Sequence, residues 1–168
     1  VNLATDRRPR FSCRPEFDPE IHGGTIVLAE SLDDMEGAFQ DAAAGRPSAV
    51  PFADVCIPSV FDKTLAPEGK HVMSMFTQYF PYKLAPGLSL EAEKEKYADR
   101  CFELMNEYAP NFKRSVVARQ VLAPADIEQR FGLSSDAEIS LEANPEDWTT
   151  GKAFALREAG FNRVSFGA

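Results

Sequence analysis

Residues 70–83 read KHVMSMFTQYFPYK, an apolar and aromatic run without glycine. In an extended strand successive side chains point to opposite faces. Val72, Ser74, Phe76, Gln78 and Phe80 then share one face, and His71, Met73, Met75, Thr77 and Tyr79 the other. Each face carries large apolar groups, which predicts a strand partly covered on both sides.

Working outward, TIVLA (25–29) is a β-branched strand run closed by Ser31, a good helix N-cap with Asp33 and Asp34 in the first turn behind it. Leu32, Met35, Phe39 and Ala42 follow at helical spacing, and Gly45 stops the pattern. AVPFADVCIPS (49–59) holds prolines at 51 and 58, which confine it to a short strand, and LAPEG (65–69) signals a turn. On the other side, Ser89 caps a long helix in which Tyr97, Cys101, Leu104, Met105 and Tyr108 form an apolar stripe and Pro110 ends the run. SVVARQVLA (115–123) reads as a strand, and ADIEQRF (125–131), framed by Pro124 and Gly132, as a short helix. Strands and helices do not alternate strictly, so the expected class is α/β in the broad sense, an α+β mixed sheet with flanking helices.

The pattern changes across FGLSSDAEISLEANPEDW (131–148). AEISLEANP is a strand, Thr149 an N-cap, Phe154, Ala155 and Ala159 belong to a helix with Gly160 at its C′ position, and NRVSFG is a second strand. Strand, helix and strand in about 30 residues predict a βαβ unit with parallel strands. Two pieces are therefore expected, residues 1–133 and 134–168. VNLATDRRPRF opens in a strand-like run and NRVSFGA closes in one, which marks the sequence as a piece of something longer, fragmentary or chimeric.

Composition bounds the function. A chain of 168 residues with 44% hydrophobic content can bury a core of one domain, or one plus a fragment. A net charge of −8 and a pI near 4.8 argue against a nucleic-acid surface. Arg7, Arg8 and Arg10, the only basic cluster in the sequence, read as a solvated turn. No apolar run approaches the roughly 20 residues of a membrane helix. Cys13, Cys56 and Cys101 are odd in number and too far apart for a CxxC site, which fits a reducing cytoplasmic or organelle interior.

Few residues point to chemistry. MFTQYFPYK is either ordinary core or the wall of an apolar ligand cavity, and in the second case Gln78, Tyr79 and Tyr82 are its polar handles toward a substrate. His22 and His71 lack partners at metal-ligand spacing and read as structural. Gly23 and Gly24 precede a strand rather than opening a helix after one, so they mark a turn and not a dinucleotide fingerprint. Glu138 and Glu142 share a strand face, and Glu142 sits at the end where parallel folds place ligand contacts.

CIPSVFDKTLAPEGKHVMSMFTQYFPYKLA (56–85), YADRCFELMNEYAPNFKRSVVARQVLAPADIEQRFGL (97–133) and VNLATDRRPRFSC (1–13) resemble the phytoene desaturase-like FAD oxidoreductases. The resemblance implies FAD-dependent oxidation or desaturation of an apolar substrate, with a dinucleotide fold, a substrate domain and a second flavin-contacting motif near the C-terminus. This sequence matches the substrate-domain stretch alone. It contains no GxGxxG and no glycine-rich segment after Gly132, so no flavin-binding residue carries over and the piece is expected to be inactive by itself.

AEISLEANPEDWTTGKAFALREAGFNRVSFGA (137–168) resembles the radical-SAM enzymes of the oxygen-independent coproporphyrinogen oxidase type and their haem-chaperone relatives. That resemblance implies part of a (β/α) barrel, with Glu142, beside Asn144, contacting S-adenosylmethionine. The CxxxCxxC that would hold a [4Fe–4S] cluster is absent. A third reading is a non-catalytic interaction module that self-associates through uncovered strand edges and apolar faces.

Overall fold

The computed structural model describes residues 1–132, 136–138, 140–143, 149–158 and 162–166. It divides into two compact units, Val1–Ile127 and Glu128–Ala168.

The first unit is built on a five-stranded sheet in the order β2-β3-β4-β1-β5. Its strands are β1 (Asn2–Thr5), β2 (Ile26–Leu28), β3 (Phe52–Cys56), β4 (His71–Gln78) and β5 (Val116–Gln120). All four pairings are antiparallel. The strand expected over 70–83 lies at the centre, with β3 on one side and β1 on the other. One register shift, between Ala4 and Thr5, leaves Val117 as the extra residue of a bulge.

The helices are α1 (Pro19–His22), α2 (Leu32–Ala43), α3 (Leu90–Tyr108), α4 (Phe112–Ser115) and α5 (Pro124–Phe131), the last running across the boundary of the unit. The stripe predicted for α3 buries Tyr97, Cys101 and Met105 completely, together with Ala98 and Phe102. These side chains pack on Leu3, Leu28, Ala53, Val55, Met73 and Met75, all on one sheet face, and on Ile57, Phe11 and Phe112. The opposite face is open: Val27, Phe76 and Val117 are each more than 60% exposed. Two-sided coverage of β4 is thereby corrected, because the described helices bury only the methionine face.

The helix ends follow the sequence in most places. Ser31 Oγ accepts from Asp34 N at 3.1 Å, as expected of an N-cap. Arg46 N donates to Asp41 O and Gly45 N to Ala42 O, both at 2.9 Å, which closes α2 with a Schellman motif. Gly45 has φ +73°, and a Cβ there would stand 2.8 Å from Ala85 N, so both conformation and space select glycine. Two details differ. Ser89 precedes α3 without a side-chain cap bond, and Leu32 and Phe39 of α2 remain 82% and 51% exposed while Ala38 is its buried contact.

Helix α5 is tied to α3 by charge. Lys94 Nζ, inside the packing layer, lies 2.9 Å from Asp126 Oδ1 and 3.1 Å from Glu91. Asp126 also accepts from Ala123 N at 2.8 Å, bonding back to the residue before its own helix. Burial acts to lower the Lys94 pKa, and the bonds to Asp126 and Glu91 overcome it and leave the pKa raised.

The second unit holds β6 (Ser140–Ala143), α6 (Thr150–Glu158) and β7 (Arg163–Phe166). The two strands pair in parallel, Ser140 opposite Arg163 and Glu142 opposite Ser165, which is the βαβ unit read from the sequence. Arg163 reaches Glu138 at 2.7 Å, and Asn162 donates to Ala137 O at 2.7 Å. Ala159 and Gly160 lie outside the described residues. The class is α+β, with the antiparallel and parallel pairings divided between two sheets instead of mixed within one.

Phe112 is fully buried with its ring edge-on to Phe102 at 5.3 Å, so Phe112→Ala is expected to cost about 3–5 kcal/mol. Urea unfolding followed by far-UV circular dichroism checks this through the transition midpoint.

Candidate functional site

The open face of the sheet is ordered by its register. One row runs Val27, Asp54, Phe76 across β2, β3 and β4, with Phe52 opposite Gln78 in the next row of that face. A polar row crosses β4, β1 and β5: Ser74 Oγ donates to Asn2 Oδ1 at 3.2 Å, and Asn2 Nδ2 to Gln120 Oε1 at 3.4 Å. The result is a platform with an apolar ring at Phe76, the Asp54 carboxyl in the same row and neutral amides and hydroxyls in the row beyond. Such a surface contacts an apolar ligand by area and orients it by a few hydrogen bonds.

Gln78 ends β4 on this platform, and its amide makes no hydrogen bond within the described residues. Tyr79 follows through a cis peptide bond. Its ring meets Phe52 edge-on at 5.5 Å and Phe39 of α2 at 6.2 Å, and it stays 38% exposed. Its backbone is fixed by Ser48, which is fully buried: Tyr79 N donates to Ser48 Oγ at 2.8 Å and Ser48 N to Tyr79 O at 3.0 Å. Ser48 is held in turn. Arg100 of α3 donates to Ser48 O at 2.6 Å and to Pro47 O at 3.1 Å, while Asp41 accepts from Ala49 N at 2.9 Å and Arg46 at 2.8 Å. The Ala49 N–H and the Arg46 guanidinium keep the Asp41 pKa low. Gln78 and Tyr79 thus stand together at a braced corner, and Tyr82, 56% exposed, lies in the segment after it.

Phe52 also walls a cleft of about 260 Å³ between α2 and α3, floored by Leu28, Met35 and Leu104 and rimmed by Glu30, Asp34, Glu103 and Glu107. Tyr108 donates to Glu30 Oε1 at 2.6 Å, and that bond pushes its phenol up to about 12. The sequence reading missed this cleft because its carboxylates come from separate segments that look like solvated helix faces.

The residues present do not fit the cofactors that the resemblances imply. A flavin pyrophosphate needs a glycine-rich turn between a strand and a helix N-terminus. In Val1–Ile127 every strand pair is antiparallel, and the positive-φ glycines Gly45, Gly69 and Gly87 lie in turns that do not open a helix from a strand. Among the described residues no group of three His, Cys, Asp or Glu side chains can hold a metal ion. The thiols are dispersed, Cys13 exposed, Cys56 half-buried and Cys101 buried. Glu142 lies in β6 opposite Ser165, and Asn144 falls outside the described residues. His22 and His71 each sit in structural settings, His22 with Nδ1 2.7 Å from Asp18 O and His71 with Nδ1 3.4 Å from Ser59 Oγ.

The chain is 44% identical over 139 residues to pyridine nucleotide-disulfide oxidoreductase domain-containing protein 2 of Rattus norvegicus, and 45% identical over 139 residues to the protein of that name in Mus musculus. Over most of its length it resembles pyridine nucleotide-disulfide oxidoreductase domain-containing protein 2. Each match covers 79% of this chain and 24% of the relative, so the chain spans about a quarter of the length of those curated relatives. No protein-family model matches the chain. Against pyridine nucleotide-disulfide oxidoreductase domain-containing protein 2, the chain is a fragment: the braced Tyr79 corner and the open platform are features of a part, and most of the relative's length lies outside it. No helix among the described residues is long and apolar enough to cross a membrane.

The cysteines give a direct test of the packing around α3. Burial raises the Cys101 thiol to about 11, so alkylation of the native chain is expected at Cys13 first and at Cys101 only on unfolding, read by mass spectrometry after a timed iodoacetamide pulse. Above the ordinary thiol value of 9.0 the unfolded chain sheds the Cys101 proton that the folded chain keeps to about 11. Stability therefore falls as pH rises through that window.

Proposed function

We propose that residues 1–133 are the substrate-domain portion of an FAD-dependent oxidoreductase of the phytoene desaturase-like kind. In the parent protein the open sheet face contacts a small apolar substrate, with Gln78, Tyr79 and Tyr82 as its polar handles. The observation that carries this reading is the 44% identity over 139 residues to pyridine nucleotide-disulfide oxidoreductase domain-containing protein 2. FAD belongs to the missing part of the parent, and this chain neither binds it nor catalyses alone. Free thiols suit a reducing cytoplasmic or organelle interior.

The test compares two purified proteins through gel filtration. The full-length parent is expected to carry the flavin absorption band in stoichiometric amount and this chain none. A flavin-free parent, or a chain that retains flavin, sinks the reading. In the loaded parent, Tyr79→Ala is expected to raise KM more than it lowers kcat, because Tyr79 lines the substrate side and touches no reacting atom.

A second reading concerns residues 134–168, as part of a radical-SAM barrel of the coproporphyrinogen oxidase or haem-chaperone type, with Glu142 and Asn144 toward S-adenosylmethionine. The parallel β6-α6-β7 unit fits a barrel segment without selecting this chemistry. A single-molecule read of the source locus decides it. A frame leaving residue 133 for a glycine-rich flavin motif assigns the tail to another gene, whereas an unbroken frame makes the fusion natural.

Interaction is the third reading. Among the described residues strands β2 and β5 are the edges of the sheet, and Phe76 and Val27 are exposed on one face with Asp54 between them. Self-association is expected, and Phe76→Lys should move the weight-average sedimentation coefficient toward the monomer at equal concentration. A wild-type monomer at all concentrations counts against this reading.

A further inference from the structure

The basic residues near the N-terminus do not lie on a plain solvated turn. Arg7, Arg8, Pro9 and Arg10 line a pocket of about 490 Å³ with Phe17, His22, His71 and Asn111, a volume within the range of about 300–1,000 Å³ typical of ligand sites. We propose that this pocket binds a phosphate-class anion through Arg8 and Arg10, independently of the oxidoreductase reading.

The first support is the way the loop is built. Asn111, a hundred residues away in sequence, accepts from Arg10 N at 2.7 Å and donates to Arg8 O at 2.9 Å. One side chain therefore fixes the backbone on both sides of Pro9, which is buried. The Arg8 guanidinium stacks 3.5 Å above the Phe17 ring. Stacking holds the plane of the fork and leaves its in-plane N–H groups to meet oxyanion oxygens two at a time. His22 is locked between Phe11 and Phe17, with ring centroids at 5.8 and 5.4 Å.

The second support is positive charge that forms no ion pair among the described residues, Lys70 acting on the Asp6 carboxylate only through space. Arg7 is satisfied by Asp6, with contacts of 2.9 and 3.1 Å. Arg8, Arg10, Lys63 and Lys70 make no ion pair among the described residues, although the chain carries eight more acidic than basic side chains. Lys63 and Lys70 line an adjoining pocket of about 330 Å³ that shares Gly69 and His71 with the first. Lys63 Nζ is committed to two carbonyls, Ser59 O at 3.0 Å and Val60 O at 2.6 Å, so its position is set while its charge stays free. Glu16 is the one carboxylate in the lining of the first pocket and Glu68 of the second. The field at His71 agrees with this distribution. Burial, then Arg8, then Lys63 lower its pKa, so the ring stands in a positive surround. An acidic protein that concentrates unpaired cations around two adjoining hollows creates a local potential opposite to its net charge.

The ligand is a phosphate group, either on a soluble molecule or on a lipid headgroup. The experiment titrates the full chain with sodium pyrophosphate at fixed ionic strength, made up with chloride, and follows the His71 ring resonances by NMR. Saturable displacement is expected, with binding weakened about 10-fold to 100-fold in Arg10→Gln, the size of one charge-assisted hydrogen bond. Arg10 is exposed and its backbone bond to Asn111 survives the change, so Arg10→Gln keeps the fold; an unchanged thermal melt verifies that. Arg8→Gln is the second variant. Vesicles of phosphatidic acid against phosphatidylcholine separate the sources. Pyrophosphate binding without vesicle binding assigns a soluble ligand, and binding to phosphatidic acid vesicles alone assigns a headgroup. Both depend on the same arginines if the proposal is right. It is overturned if neither ligand moves His71, or if chloride alone reproduces the shifts, or if Arg10→Gln binds as wild type does.

Discussion

One-sided burial governs this molecule. Helix α3 lies on a single face of the antiparallel sheet, where Tyr97, Cys101 and Met105 meet Met73, Met75 and Val55 with almost no exposed area. Each apolar side chain so buried contributes about 1.5–3 kcal/mol against its exposed state, enough in aggregate to order strands whose other face gains nothing. The consequence is a contrast within β4: Met73 and Met75 are buried on the packed face, Phe76 is exposed on the other, and the remaining positions are half-buried.

Irregular segments are then fixed from the packed side. Arg100 leaves the middle of α3 to bind the carbonyls of Pro47 and Ser48, and Ser48 binds both backbone groups of Tyr79. A residue that faces outward at the sheet corner is thus positioned by a helix on the far side. Asn111, just beyond α3, does the same for the loop around Pro9. Buried hydroxyls and amides are worth most where they satisfy backbone groups that no strand or helix can reach, and both corners of this fold use them so. The Tyr97 hydroxyl is a counterexample: buried on the inner face of α3, it makes no hydrogen bond of good geometry among the described residues, and burial drives its phenol upward.

The sequence showed the elements better than their exposure. Periodicity located β4, α2, α3 and the parallel unit because 2-residue and 3.6-residue repeats are local properties. It overestimated the cover on β4 and on α2, since Phe76, Leu32 and Phe39 look like core residues in any window and only the tertiary arrangement leaves them out. For the same reason Gln78 and Tyr79 were legible as candidates, being polar groups inside an aromatic run. The Ser48 brace was not, because it joins residues 31 positions apart. The cleft between α2 and α3 and the pocket of Arg8 and Arg10 are assembled from segments whose charges look ordinary one at a time.

A fragment's surface has to be read with that in mind. The curated relatives extend over roughly four times the matched length, so an open sheet face here need not be open in a longer protein. The two hollows differ from the platform in this respect. Their walls close within Val1–Ile127 through contacts made by this chain alone, Asn111 to the Arg8–Arg10 loop and Tyr108 to Glu30. The platform shows exposed apolar area at Phe76 and a half-exposed amide at Gln78. A surface already organised by internal hydrogen bonds and by stacked or carbonyl-held cations can act without a further neighbour. That difference separates the platform, whose apolar ring at Phe76 is left exposed, from the cationic pocket, whose walls are set by contacts within Val1–Ile127.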